Sequence, residues 1–393
     1  MKILIFVTRQ LCYNSGIYFA EKIGEALREY GCECEYCEIP EYAIPSAGTE
    51  IAQPASMNSN KRIDQSAEEL LERYINKKYD AILDFNSKLP RLIMDDDSYY
   101  LDNIDAPFYN FILDHPLYHH TTLSCKLNNY HVFSIDDNHC KYVRQYYPWI
   151  KDASQINLGA EQVAESDISK KENNILFIGT YRNPDVYLQS ILESRDEDKK
   201  VMISMIDTII ANDEIKIEDS INKEPKGLML NKYYLVEMYI RNFYRKKLID
   251  TFVDNKFPIK VVGDWWDKYD KSCKINLQKP VSFEQSLDMI AKSRIIADSS
   301  PFFKRGIHDR VYAGMANNTV VMTDANEYRN NILNGIAEMY RLNDIDDICT
   351  KADKLLNDTA YYENMVYNAH KVYEDYYTWN KVGERIIKHF LSE

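Results

Sequence analysis

Two series of short apolar runs, each followed by a turn signal and a helix-spaced segment, divide this chain about one polar stretch. In the first series, residues 2–8 read as a buried strand that ends at Arg9 and Gln10. Tyr13 to Gly16 supply a turn and a helix start, and Ile17, Ala20, Ile23, Ala26 and Leu27 keep helical spacing up to Gly31. Residues 32–39 then alternate apolar residues with Glu, which suits a second strand and completes a βαβ unit. The pattern continues with a helix at 65–77, strands at 79–85, 107–113 and 130–135, a helix at 137–147 and a strand at 154–158. Residues 41–62 lack periodicity and are rich in Pro, Ser, Ala and Asn, so they predict a loop; a doubly wound topology puts it at the ligand-binding edge of the sheet.

Residues 159–173 are polar and read as a linker. The second series restarts with a strand at 174–178. It continues through helical character over 185–255 with a charged break near 212–226, strands at 258–262, 294–298 and 319–323, and helices at 282–292, 307–317 and 380–391. A chain of 393 residues is long enough for two domains at roughly 100–200 residues each. The fold class this implies is α/β, with two Rossmann-like domains facing each other across a cleft. The expected division is 1–160, 174–375 and a C-terminal helix, 376–393, that packs back on the first domain.

The net charge of −13 argues against duplex nucleic acid as a partner. The opening apolar run is too short for a signal-peptide core, and no run approaches the roughly 20 apolar residues of a membrane span. The eight cysteines are scattered, which suits reduced thiols. These features predict a cytoplasmic protein with no transmembrane segment, free to make peripheral membrane contact. The richness in Tyr, Lys, Ile and Asn fits an AT-rich, bacterial genome.

The stretch most informative about chemistry is 280–324. A buried strand leads through a loop to a helix start near Gly306, where free N–H groups and a partial positive charge accumulate. Lys304, Arg305, His308 and Arg310 stand close together there. Cations beside a helix start suit an anion such as a diphosphate; the competing reading is a solvated basic patch.

This run resembles the donor-binding domain of GT-B glycosyltransferases, and within them the group related to spore-maturation CgeB-like enzymes. The relevant residues are His308-Asp309-Arg310-Val311-Tyr312-Ala313-Gly314-Met315-Ala316, followed by Thr319 to Asp324. Ser282-Phe283-Glu284, Gly263-Asp264-Trp265 and Phe177-Ile178-Gly179-Thr180 also fit. The resemblance implies a glycosyltransferase that takes its sugar from a nucleotide-diphosphate sugar. On it, Gly179 lets the backbone approach the donor phosphates, Arg182 adds charge beside the Lys304 of the cationic cluster, and Gly263 and Trp265 line the base pocket. His308 and Arg310 contact the diphosphate, and Asp309 accepts from a sugar or ribose hydroxyl. The chain departs from the family where Ala313 replaces a Glu and Arg305 stands eight residues earlier, so the paired Glu of many retaining enzymes is missing. An inverting reaction needs a general base on the acceptor side.

Asp114-His115-Pro116 follows an apolar strand and supplies candidates: His115 or Asp114 as base, with Asp114 alternatively orienting the imidazole. Gln10, Asn14 and Gly16 at the first βα turn are candidate acceptor contacts. The acceptor class (glycan, lipid-linked glycan or protein) stays open. No metal site and no cofactor are expected: His115, His119 and His120 lack matching carboxylate or Cys spacing, Cys32, Cys34 and Cys37 read as buried thiols, and Asp95 to Asp97 as a helix cap or solvated loop. The alternatives are a non-catalytic nucleotide-sugar-binding protein and a nucleotide-sugar epimerase. A dehydrogenase is disfavoured, since no G-x-G-x-x-G follows the first strand.

Overall fold

The computed structural model describes residues 1–9, 11–40, 43–44, 55–57, 63–163, 166–221 and 230–392. It forms two units, Met1–Asn157 with Trp379–Glu393, and Leu158–Thr378.

The first unit carries strands β1 (Lys2–Val7), β2 (Glu33–Glu38), β3 (Ala55–Ser56), β4 (Ala81–Phe85), β5 (Leu92–Ile93), β6 (Phe108–Ile112), β7 (Tyr130–Ser134) and β8 (Asp152–Gln155). Six of them make one sheet in the order β2-β1-β4-β6-β7-β8, and β3 pairs with β5. All pairings are parallel. Ile3 to Phe6, Ala81 to Phe85 and Phe108 to Ile112 are buried throughout, because helices cover both faces of a parallel sheet. This is why these strands read as mainly apolar runs, interrupted only by the buried Asp84 and Asn110.

The helix Ser15–Glu29 turns Tyr18, Phe19, Ala20, Ile23, Ala26 and Leu27 inward. The C-terminal helix Trp379–Ser392 crosses it closely: a Cβ added at Gly383 would lie 2.9 Å from the Ala26 Cβ. The Trp379 ring meets Tyr18 and Phe19 at 6.1 Å, and Phe390 meets Tyr109 at 4.8 Å.

The second unit carries β9 (Glu172–Ile178), β10 (Ile259–Val262), β11 (Asn276–Gln278), β12 (Ser293–Ala297), β13 (Val320–Asp324) and β14 (Glu338–Tyr340). They form a parallel sheet in the order β11-β10-β9-β12-β13-β14. The two edge strands, Asn-Leu-Gln and Glu-Met-Tyr, are too short to give a periodic signal and are absent from the sequence reading. Within the polar stretch, residues 159–163 and 166–173 pack within this unit. Val163 N–H donates to the Asn317 side chain at 2.8 Å, and Lys171 Nζ donates to the Ala291 and Asn317 carbonyls and to Thr319 Oγ1. Lys171 thus satisfies carbonyls left open near the carboxyl ends of the helices Phe283–Lys292 and Asp309–Ala316.

Strand order reverses between β1 and β4 in the first sheet and between β9 and β12 in the second. Open α/β sheets hold ligands outside the carboxyl ends of the strands at such a reversal. The residues that follow β9 and β12 are therefore the first place to look for a site in the second unit, and those that follow β1 and β4 in the first.

Candidate functional site

Asp298 leaves β12 almost fully buried, with 1% of its surface exposed. A lone carboxylate there would be costly, so its partners define the site. Arg310 Nη1 donates to Asp298 Oδ1 at 2.8 Å, and Ser300 Oγ donates to Oδ2 at 2.5 Å. Burial works against ionisation of Asp298, but the charges of Arg310 and His308 outweigh it and hold the carboxyl well below the usual range.

Arg310 belongs to the first turn of the helix Asp309–Ala316. His308 is the N-cap residue, extended at φ −74°, and its side chain makes no capping bond. The helix start therefore has no side-chain cap, and its positive end faces the same place as Arg310. His308 Nδ1 contacts Asp309 Oδ1. Burial also opposes ionisation of Asp309, yet His308 and Arg310 keep its carboxyl low.

The loop between Asp298 and this helix is held from behind. Asp324, at the end of β13, accepts from Ser300 N–H at 2.7 Å. Arg329, 1% exposed, donates to Asp324 Oδ2 at 2.6 Å and to the carbonyls of Asp324, Ser300 and Phe303 at 2.8, 2.9 and 3.0 Å. The Thr-Asp that closes this segment in sequence thus has a structural reason: Thr323 Oγ1 reaches Asp298 at 3.4 Å, and Asp324 pins the loop.

On the other side of the reversal, Gly179 follows β9 and is buried. Its N–H donates to Val262 O at 2.9 Å, and its carbonyl accepts from Trp266 Nε1 at 2.7 Å. Tyr181 N–H donates to Asp264 O at 2.9 Å, so the loops after β9 and β10 are joined. Gly263 (φ +145°) and Trp265 (φ +64°) both take positive φ. Such a backbone is unusual for an aromatic residue and is sustained by the bonds on either side of it. It turns the Trp265 indole outward, 50% exposed, with Arg182 and Lys268 at 5.0 and 5.1 Å from its ring centre.

Among the residues singled out from sequence, the structure gathers His308, Asp309 and Arg310 around Asp298. It gathers Gly179, Arg182, Gly263 and Trp265 on the joined loops after β9 and β10. Lys304 does not join the His308 group: its side chain is buried and its Nζ donates to the Asp213 carbonyl. The loop turns between Phe303 and Gly306, so neighbours in sequence diverge in space, and Arg305 lies out over the Tyr328 ring at 5.5 Å.

Sequence reasoning missed Asp298, Arg329 and three residues on the helix Tyr234–Asp254. There Glu237, Arg241 and Arg245 follow at four-residue spacing, on one face. Arg241 Nη2 pairs with Glu237 at 3.1 Å. Arg245 lies near enough to feel Arg241, Arg310, Asp298 and Glu237, and burial together with the two cations pushes its pKa down to about 10. Helix-interior arginines carry no motif; only the i, i+4, i+8 spacing of Glu237, Arg241 and Arg245 could have drawn attention to them.

In the first unit, Asp114 follows β6, half-buried, and accepts from Asn86 Nδ2 at 3.1 Å. His115 is buried at the N-cap of a short 3-10 turn, with its Nδ1 accepting from Leu117 N–H at 3.1 Å. Its ring meets His139 at 4.6 Å and Tyr142 at 5.3 Å, edge to face. Burial pushes the His119 pKa down to about 4; the Asp114 carboxylate pulls it back only in part. Asn14, the N-cap of the helix Ser15–Glu29, has φ +61° and is exposed, and Gly16 is buried in the first turn of that helix. Gln10 lies outside the described residues. His120 Nδ1 lies 2.9 Å from Tyr147 Oη.

Residues 241–388 match a family model described as glycosyl transferase-like. No curated protein matches the chain. Among solved structures, the chain is similar over its full length to a sucrose-phosphate synthase from Thermosynechococcus elongatus, with 9% identity, a TM-score of 0.57 and 99% of that chain covered. It is similar to an alpha-glucosyltransferase in complex with UDP and a 13-mer DNA, with 12% identity, a TM-score of 0.53 and 100% of both chains covered. The same identity, TM-score and coverage hold for Anabaena HepE in complex with UDP and glucose. At these identities the likeness is one of fold, and the fold is GT-B: two Rossmann-like domains, each with six parallel strands.

Proposed function

We propose that this protein is a glycosyltransferase whose second unit binds a nucleoside-diphosphate sugar at the carboxyl ends of β9 and β12. One observation carries the reading: Arg310, tied to buried Asp298, stands at an uncapped helix start on the strand-order reversal. That arrangement presents a guanidinium and backbone N–H groups to one anion, which suits a diphosphate. Asp298 fixes the guanidinium before the ligand arrives, so little ordering remains for binding to supply. The glycosyl transferase-like match over 241–388 supports the same reading. The UDP bound in two of the similar structures makes UDP the first nucleotide to try. The finer CgeB-like reading rests on the run from His308 to Asp324.

In the proposed reaction the bond from the sugar's anomeric carbon to the diphosphate oxygen breaks, and its electron pair leaves with the nucleoside diphosphate. The acceptor oxygen forms the new bond and gives up its proton to a base. The cations around Arg310 meet the charge on the leaving group, with no divalent ion required. Gly179 lets the backbone come close to the phosphates, and the outward indole of Trp265 offers a face to the base. For the acceptor proton we favour Asp114 over His115, because His115 is buried and its Nδ1 already serves Leu117 N–H. The lack of a Glu at Ala313 favours inversion. Asn14, Gly16 and Gln10 are kept as acceptor contacts.

The test is a thermal-shift screen with UDP, GDP, CDP, dTDP and their sugars. A nucleotide at about 100 times its Kd should add about 2.7 kcal/mol, a rise of ~5–10 °C for a unit of this size. A donor-hydrolysis assay with EDTA present then separates an enzyme from a binder. No shift with any of the four nucleotides would remove the donor site, and shift without turnover would remove the enzyme.

A further inference from the structure

We propose that Arg245 is a second grip on the donor diphosphate, resting on the reading of the second unit as the donor domain. Among the described residues, no hydrogen bond or ion pair reaches its guanidinium, and its Nε is buried without a partner. Its surroundings supply two cations, Arg241 and Arg310, and two carboxylates, Glu237 and Asp298. Both carboxylates are already used: Glu237 by Arg241 at 3.1 Å and Asp298 by Arg310 at 2.8 Å. The charged groups that face Arg245 are thus two cations and two carboxylates, each carboxylate already paired with one of the cations. The Nε donor of Arg245, out of contact with solvent and without a partner, is unfavourable as it stands, since a buried donor needs pairing.

That cost is repaid when an anion arrives. A diphosphate held by Arg310 and the helix start would present further oxygens, and Arg245 is the neighbouring cation with all its donors open. The departing nucleoside diphosphate gains charge as the glycosyl bond breaks, so the same contact would tighten as the reaction proceeds. The helix is held rigidly: Val236, Ile240, Tyr244, Leu248 and Ile249 are buried along it. Arg245 would thus be presented by a fixed element.

The experiment compares wild type, Arg245→Met and Arg245→Lys by calorimetric titration with UDP, GDP, CDP and dTDP and with the matching nucleosides, plus unfolding midpoints without ligand. The expected result is a Kd for the preferred diphosphate weakened ~10-fold or more in Arg245→Met, with partial recovery in Arg245→Lys. Nucleoside affinity should change less than ~2-fold, and the ligand-free midpoint of Arg245→Met should equal or exceed that of wild type. An unchanged diphosphate Kd overturns the assignment while leaving the donor reading intact. A lowered midpoint with equal losses for diphosphate and nucleoside also overturns it, since that is the mark of a structural residue. If wild type binds none of the four diphosphates, the donor reading and the role of Arg245 fall together.

Discussion

Replacing Arg329 with Met should be among the most damaging single changes in the second unit, although Arg329 is not assigned to touch ligand. The side chain is 1% exposed and makes four hydrogen bonds, to Asp324 Oδ2 and to the carbonyls of Asp324, Ser300 and Phe303. Methionine fills much of the volume and makes none of them. Asp324 would keep only the Ser300 N–H as a named donor while remaining buried. Removing one partner of a buried ion pair costs about 3–5 kcal/mol. For a unit of roughly 200 residues each kcal/mol lowers Tm by about 2–4 °C, so the fall should be ~6–20 °C. Urea unfolding followed by far-UV circular dichroism reads the loss directly. Arg329→Lys should recover little, because one ammonium cannot span both the carboxylate and the loop carbonyls. The double variant Arg329→Met with Asp324→Leu should be less destabilised than Arg329→Met alone, because no charge is then left unpaired. A loss below about 1 kcal/mol for Arg329→Met would refute the claim that this pair braces the loop.

Further outcomes follow from the same geometry. Arg310→Ala should abolish nucleotide-induced stabilisation and also cost about 3–5 kcal/mol by stranding Asp298, so calorimetric titration below its melting range is the right readout; normal binding would remove Arg310 from the site. Gly383→Leu should loosen the C-terminal helix from Ala26 and lower the first unit's stability by about 1–3 kcal/mol, seen as early hydrogen exchange over 379–392; unchanged exchange contradicts the close crossing. His119 has a folded pKa pushed down to about 4 by burial, below its ordinary value near 6.5. Its contribution is therefore present above pH ~6.5 and is lost as pH falls toward 4, so His119→Gln should lose less stability than wild type between pH 7 and 5; parallel profiles would contradict this.

How much of this was legible in the sequence depended on whether a residue's role was local. Strands such as Ile3 to Phe6 and Ile295 to Ala297 are covered on both faces, so their apolar runs announced a parallel sheet directly. The three-residue edges at Asn276 and Glu338 carry too little apolar surface to announce anything. The group His308, Asp309 and Arg310 was readable because one helix start holds all three. Lys304 misled, since a turn of loop separates it from them and sends it to Asp213. Asp298, Arg329 and Arg245 were invisible for the opposite reason: each has a key neighbour on another element, and only the assembled sheet brings them to Arg310 or the loop before it.

Hydrogen exchange of the whole protein with and without its preferred nucleoside diphosphate bears most directly on the donor site. Protection should appear in peptides spanning 179–183, 241–245 and 298–310. Protection confined to other segments of the second unit, or to the first unit alone, would contradict it.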